Sequence, residues 1–307
     1  MIQHIVRIRY GRASSGFTLT ELAIVLVVIA LLVGGLMGPL FRYVDQQRYV
    51  STTAQLDAVR EVLVSYAAAN GRLPCPAYWS ATGNSGGTEV VGAAGGCGAP
   101  TMPVGTLAGG AWVGYVPAKT LGLAPLDADG FLIDAWNNRV RYAVVARMPA
   151  AGAGSYSAAS GFNTQTDNVF TTKGALCGTY TPTAEKKWSA VSGYLAQNYT
   201  AIPNKGLLHV CRAAPAGANI GSRCSAPTNA TTPSQLTDTD ATPAVVYSVG
   251  ENGTSRGADE ADNLNLDRTF VGHVKSDLAT NRFDDVVTWV SLNTLYAKML
   301  AAGQLCP

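Results

Sequence analysis

The stretch Ser15-Gly16-Phe17-Thr18-Leu19-Thr20-Glu21 leads into Leu22-Ala-Ile-Val-Leu-Val-Val-Ile-Ala-Leu-Leu-Val-Gly-Gly-Leu-Met-Gly-Pro-Leu-Phe41, a run in which no residue is charged. Roughly 20 apolar residues, rising ~1.5 Å each, cover the hydrocarbon of a bilayer. The run therefore predicts a membrane helix over about residues 20–41. Arg7, Arg9 and Arg12 precede it with no Asp or Glu among them, which puts the N-terminus on the cytoplasmic side. A secretory signal would have a shorter apolar core and a small-residue cleavage site after it. Here the small residue, Gly16, comes before the run. Glu21 stands at the edge of the apolar helix, where an uncompensated carboxylate costs a few kcal/mol, so it calls for a positive partner. The helix N-terminus supplies one such attraction.

Beyond the run, Gly34, Gly35, Gly38 and Pro39 weaken the helix, by about 1 kcal/mol per Gly and about 3 for Pro, and predict a kink or melted turn. Leu56, Val59, Leu63 and Tyr66 then recur every three or four residues, with Asp45, Gln46, Arg48, Asp57, Arg60 and Glu61 on other faces. This is an amphipathic continuation of the same helix. Asn70-Gly71 followed by Pro74 marks its end, since Gly takes the left-handed cap and Pro cannot continue the helix. One spine from Phe17 to about Asn70 results.

Composition fits an exported, loop-rich β domain after the spine: 14% charged residues, 33 Gly and 15 Pro. Taking the three leader arginines from 22 basic residues leaves 19 against 20 acidic ones. The remainder is close to neutral, so the overall charge of +2 does not argue for nucleic-acid binding. All six cysteines, Cys75, Cys97, Cys177, Cys211, Cys224 and Cys306, follow the apolar run. In an oxidising compartment an even count reads as disulfides, with Cys75–Cys97 and Cys211–Cys224 as the short-range pairs, although the sequence fixes no connectivity and free buried thiols are the alternative.

In the head, Gly83 to Gly110 reads as an irregular loop. Val140, Tyr142 and Val144 alternate with Arg141 and Ala143 after Asn137-Asn138, which predicts a hairpin. Ala244–Val249 and Asp285–Ser291 read as strands, and Leu292–Ala302 as a terminal helix capped by Ser291 and stopped by Gly303. Residues 150–243 read as a variable insertion or second lobe.

The order Gly16-Phe17-Thr-Leu-x-Glu21 resembles the cleavage signal of type IV prepilins and type II secretion pseudopilins. That resemblance implies a membrane peptidase cutting after Gly16 and methylating Phe17, with Glu21 neutralising the N-terminal amine of a neighbouring subunit during assembly. Asp134, Trp136, Asn138 and Tyr142 match the Asp-Pro-Trp-Gly-Asn-Pro-Tyr-x-Tyr hairpin of the pseudopilins, while Ala135, Asn137 and Arg139 depart from it. The resemblance implies an α+β, pilin-like fold: a long N-terminal helix packed on an antiparallel sheet with a loop-rich insertion. The domains are then a basic leader at 1–16, a spine at 17–70 and an exported head at 71–307.

An acidic stretch, Gly250-Glu251-Asn252-Gly253 with Asp259, Glu260, Asp262, Asp267 and later Asp284-Asp285, is similar in order to the calcium loop of major pseudopilins. Glu251, Asn252, Asp259, Asp262, Asp267 and Asp284 are the candidate Ca²⁺ ligands, oxygen donors of the kind this ion takes six to eight of. A solvated acidic loop is the alternative. Gly253-Thr-Ser255-Arg-Gly257 fits the hydrolase elbow pattern, but the acidic residues after it carry no helical apolar face and His273 comes too early for the usual order of elements. His209-x-Cys211 lacks the second pair that a zinc site needs, and no Gly-Lys-Ser/Thr follows a Gly-rich stretch. No active site and no required cofactor are expected.

The sequence thus predicts a structural subunit, a minor pilin or pseudopilin, of a type IV pilus or type II secretion filament. Its expected partners are prepilin peptidase, other pilin or pseudopilin subunits, the inner-membrane assembly platform and membrane lipid, with no nucleic acid. Its expected path runs from the bacterial inner membrane to a periplasmic or cell-surface filament. The alternatives are a filament-displayed adhesin or ligand-binding module, and an exported enzyme that uses the helix as an anchor.

Overall fold

The structure is a computed structural model that describes residues 16, 18–81, 83–91, 97, 111–145, 208–214, 224, 236–237, 242–254, 257–265, 268–278 and 282–304, with the backbone alone at 35–41 and 84. The chain divides into two units, Met1–Gln47 and Arg48–Pro307. Helix α1 runs over Leu19–Asn70 and belongs in part to each.

In the first unit, α1 is helical through Gly34, Gly35, Gly38 and Pro39. The melted turn expected there is not formed: the backbone is helical on both sides of Pro39. The described apolar side chains from Leu19 to Val33 are all exposed, Leu19 at 89% and Leu31 at 71%. Among the described residues no helix is long and apolar enough to cross a membrane. The described side chains of the uncharged run stop at Gly34.

In the second unit the amphipathic half of α1 buries one stripe. Thr52, Leu56, Val59, Leu63 and Ala67 are no more than 1% exposed, at the spacing of three and four that keeps side chains on one face. The helix stops at Asn70. Gly71, at φ 71°, takes the left-handed conformation and its amide bonds Ala67 O at 2.8 Å, the capping geometry that glycine allows.

The stripe is covered by a four-stranded antiparallel sheet. Its strands are β1 (Ala111–Tyr115), β2 (Arg141–Val145), β4 (Ala244–Ser248) and β6 (Val286–Val290), in the order β1-β2-β4-β6. Tyr142 pairs with Val246 and Val246 with Thr288, so the three share a face. That face meets α1: Thr288 Oγ1 donates to Asp57 Oδ1 at 3.3 Å, and Arg60 lies within 3.4 Å of the same hydroxyl. The opposite face carries Tyr247, whose ring lies 5.2 Å from that of Phe270. Phe270 belongs to β5 (Thr269–Val271), which pairs in parallel with β3 (His209–Cys211). Every residue of β4 is consequently buried. A strand covered on both faces needs a continuous apolar run rather than alternation, and Ala244-Val-Val-Tyr supplies it.

The expected hairpin turn is formed, closed by the antiparallel Ile133–Arg139 bridge, whereas the expected insertion changes. The hairpin strand is Arg141–Val145, and Asn137 stands at φ 67° where the related motif has glycine; Asn is among the few residues that tolerate this region. The proposed insertion, 150–243, is largely outside the described residues, yet its part His209–Cys211 forms β3, and Leu208 and Val210 lie in the central core. That part is therefore no separate lobe. Disulfides join Cys75 to Cys97 and Cys211 to Cys224, the two short-range pairs; Cys177 and Cys306 lie outside the described residues. A short helix α2 (Ala118–Leu121) follows β1, α3 (Ala258–Leu264) precedes β5, and α4 (Leu292–Ala301) follows β6. Ser291 takes the cap position of α4 in extended backbone, but its side chain makes no capping bond.

The loop after α1 is fastened by Glu89. It receives two bonds from the Arg72 guanidinium at 2.8 and 2.9 Å, one from Tyr66 Oη at 2.9 Å and one from the Cys75 amide at 3.1 Å. Burial alone would raise this carboxyl, but Arg72, Cys75 and Tyr66 outweigh it and hold its pKa below the usual value. A depressed carboxylate contributes stability that is full above its unfolded value, about 4.3, and is lost as pH falls through the folded value. Acidification below about pH 4 should therefore destabilise the native protein more than Glu89→Gln, whose urea midpoint should be lower at pH 7 and flatter toward acid. Leu63→Ala, a cavity in the stripe, should cost about 2–5 kcal/mol in the same urea titration.

Candidate functional site

Among the described residues, two places carry chemistry beyond packing. At the start of α1, Thr18 Oγ1 accepts the Glu21 amide at 3.3 Å, and the Leu22 amide bonds Thr18 O at 3.1 Å. Thr18 is thus the N-cap and Glu21 the third helical residue, half of the Ser/Thr-x-x-Glu capping box. Sequence reasoning singled out Glu21 and overlooked Thr18, although the spacing of three was there to be read. Glu21 is exposed in the first turn, where the unpaired amides favour a negative charge. Gly16 is exposed as well; its backbone is outside the left-handed region, and an added Cβ would meet nothing within 4 Å. Among the described residues, nothing in the packing requires glycine at that position. Phe17 lies outside the described residues.

The second place is the acidic region between β4 and β6. Glu260, Asp284 and Asp285 are buried, at 0, 0 and 2% exposure, and each brings a carboxylate oxygen to within 4.8 Å of the others. Asn252 Nδ2 donates to both oxygens of Glu260, at 3.0 and 3.1 Å, and to Asp284 Oδ2 at 3.1 Å. The Asp284 amide bonds Glu260 Oε1 at 3.0 Å, and Asn263 Nδ2 bonds Asp285 Oδ2 at 2.8 Å. Oδ1 of Asp284 and Oδ1 of Asp285 are buried and accept no hydrogen bond among the described residues. Burial, with Glu260 next, pushes Asp284 up to about 6; burial, reinforced by Glu260 and Asp284 against the Asn263 bond, pushes Asp285 up to about 8.

The expected ligand set is dispersed. Asn252 and Asp284 meet in this cluster. Glu251 pairs instead with Arg282 at 3.0 Å. Asp259 accepts the Ala214 amide at 2.6 Å and lies 3.1 Å from His273 Nε2, and Asp262 accepts from Asn265 Nδ2 at 3.0 Å. Asp267 lies outside the described residues. Glu260 and Asp285, part of the acidic stretch but outside the expected set, take the empty places. The signal for Glu260 was its spacing from Asn263: three residues apart on α3, both fully buried, they define an inward polar face that hydrophobic periodicity does not register. Asp285 stands directly before β6 and is carried inward with it.

Other polar groups among the described residues hold the chain together. Arg139 binds Asp127 and Asp129 and lies 4.3 Å from the Phe131 ring centroid, which fixes the loop ahead of the Asp134 turn. His209 forms part of β3, and Cys211 is committed to its disulfide.

No curated protein and no solved structure matches the chain. One family model does, that of the prokaryotic N-terminal methylation motif, over residues 11–37. Those residues span Gly16, the Thr18 cap, Glu21 and the outward-facing apolar turns of α1. The chain therefore carries, at its N-terminus, the prepilin-type signature of type IV pilins and pseudopilins.

Proposed function

We propose that this protein is a structural subunit, of the minor pilin or pseudopilin kind, of a type IV pilus or type II secretion filament. The observation that carries this reading is an exposed glycine that none of the described residues packs against, placed before a helix whose apolar side chains from Leu19 to Val33 face outward and whose only charge before Arg42 is Glu21. A glycine free of steric duty suits recognition by prepilin peptidase, which would cut after Gly16 and methylate Phe17. The uncharged run Leu22–Phe41 is long enough to be held by inner-membrane lipid, with the leader arginines cytoplasmic and the head exported. The same apolar surface then serves contact with other subunits at the assembly platform. Glu21 supplies the counter-charge for a neighbour's N-terminal amine, and the Thr18 cap keeps it in the first turn.

Edman sequencing of the protein from cells with an active prepilin peptidase should begin at N-methyl-phenylalanine, residue 17. A start elsewhere overturns the reading. Glu21→Ala should leave cleavage and membrane association intact but reduce recovery in sheared filaments at least ~10-fold.

The acidic cluster supports a second element of function, a Ca²⁺ that clamps the head. Ligand oxygens 2.3–2.6 Å from one ion lie no more than about 5 Å apart, which the Glu260, Asp284 and Asp285 oxygens satisfy. The two orphaned Oδ1 atoms are donors of the right chemistry for a hard cation. The ion would offset the burial that chiefly raises both aspartates and the repulsion that adds to it. Calcium chloride should raise the melting temperature of the native protein by several degrees over chelator, and Asp285→Asn should abolish that increment. An equal melting temperature in both solutions removes the clamp from the reading.

A further inference from the structure

The turn at 134–138 does more than reverse the chain. Asp134 is 4% exposed, and its Oδ1 accepts the Trp136 and Asn138 amides at 2.8 Å each. Its Oδ2 accepts the Ser248 hydroxyl, whose oxygen in turn accepts the Gly250 amide at 3.1 Å. Asn138 Nδ2 donates to Gly250 O at 2.6 Å. Gly250 is thus held at both of its backbone groups by side chains on or tied to the turn.

Gly250 also bears directly on the acids. It stands at φ +62°, and a Cβ there would lie 2.1 Å from Asp284 Oδ1 and 2.4 Å from Asp284 O. Only the bare Cα lets Asp284 approach this closely. Two residues further on, Asn252 bonds Glu260 and Asp284 at once. Gly253 closes the loop back on the turn: a Cβ at this position, φ +63°, would lie 3.1 Å from Asn138 Oδ1. Every step from the turn to the carboxylates is therefore a direct contact.

We propose that Asp134 and Asn138 are positioning residues for the acidic cluster. By fixing Gly250 they hold the loop 248–254 in the one arrangement that places Asn252 across Glu260 and Asp284. The functional expression of this link rests on the calcium reading above; the link itself exists in the metal-free protein and is measured there. Outer-shell partners of this kind change metal affinity by about 10- to 100-fold when removed.

The test uses the native protein beside Asn138→Ala, Ser248→Ala and a control, Tyr66→Phe, which loses a hydrogen bond sharing no residue with the turn. In chelator, hydrogen exchange of the Gly250, Thr254 and Asp284 amides should accelerate at least ~10-fold in Asn138→Ala. Ser248→Ala, which severs the second tie, should do the same and serves alone if Asn138→Ala fails to fold. The control should leave these amides unchanged. Calorimetric titration with calcium chloride should show affinity falling about 10- to 100-fold in the two turn variants and not in the control. Unchanged exchange at the three amides, or acceleration spread evenly over the head, overturns the proposal. If the native protein takes up no calcium, the clamp falls while hydrogen exchange still decides the link.

Discussion

Burial of a single stripe of α1 is the constraint on which the head depends. Thr52, Leu56, Val59, Leu63 and Ala67 have no exposure to spare, and each apolar side chain of that kind contributes about 1.5–3 kcal/mol when removed from water. The covering sheet must be apolar where it meets the stripe, and it is covered again on its other face by the β3–β5 pair. This second layer turns β4 into a strand without a polar side. Some of the polar groups left inside are matched closely: Asn263 serves the Val271 amide, the Val271 carbonyl and Asp285 Oδ2 together. A buried polar group without such partners costs a few kcal/mol.

Much of this was legible in the sequence, for identifiable reasons. The stripe has helical period, the stop at Asn70-Gly71 has a backbone cause, and Ala244–Ser248 and Val286–Val290 are short apolar runs bounded by turn residues. Each signal is local. What the sequence did not disclose is non-local. The parallel pairing of β3 with β5 joins His209 to Thr269, and no local pattern announces a partner so far away. The placement of His209-Val-Cys211 within a loop-rich stretch hid a buried strand as part of an insertion.

The acidic region makes the same point from charge. Density of acidic residues marks the stretch in which Glu260, Asp284 and Asp285 lie buried together, but density cannot tell which carboxylates turn inward. Asp259 and Asp262 found neighbours of their own, Glu251 went to Arg282, and Glu260 and Asp285 were drawn in by the helix and strand that carry them. At the N-terminus the reverse holds. There the information lies almost wholly in residue order, because α1 between Leu19 and Val33 makes its meaning through what it leaves exposed.

The hydrogen bond between Arg60 and Thr288 spans 228 residues, and this has a consequence for how the protein comes into being. At the usual ~5–20 residues per second of synthesis, roughly 10 to 45 s separate the appearance of the helical stripe from that of β6, the sheet's last strand. During that interval the buried faces of α1 and β4 lack part of their cover. Long-range closure of this kind is slow as well as late. A nascent chain with its stripe bare is a substrate for holding chaperones, and the time to completion of β6 sets how long they must stay.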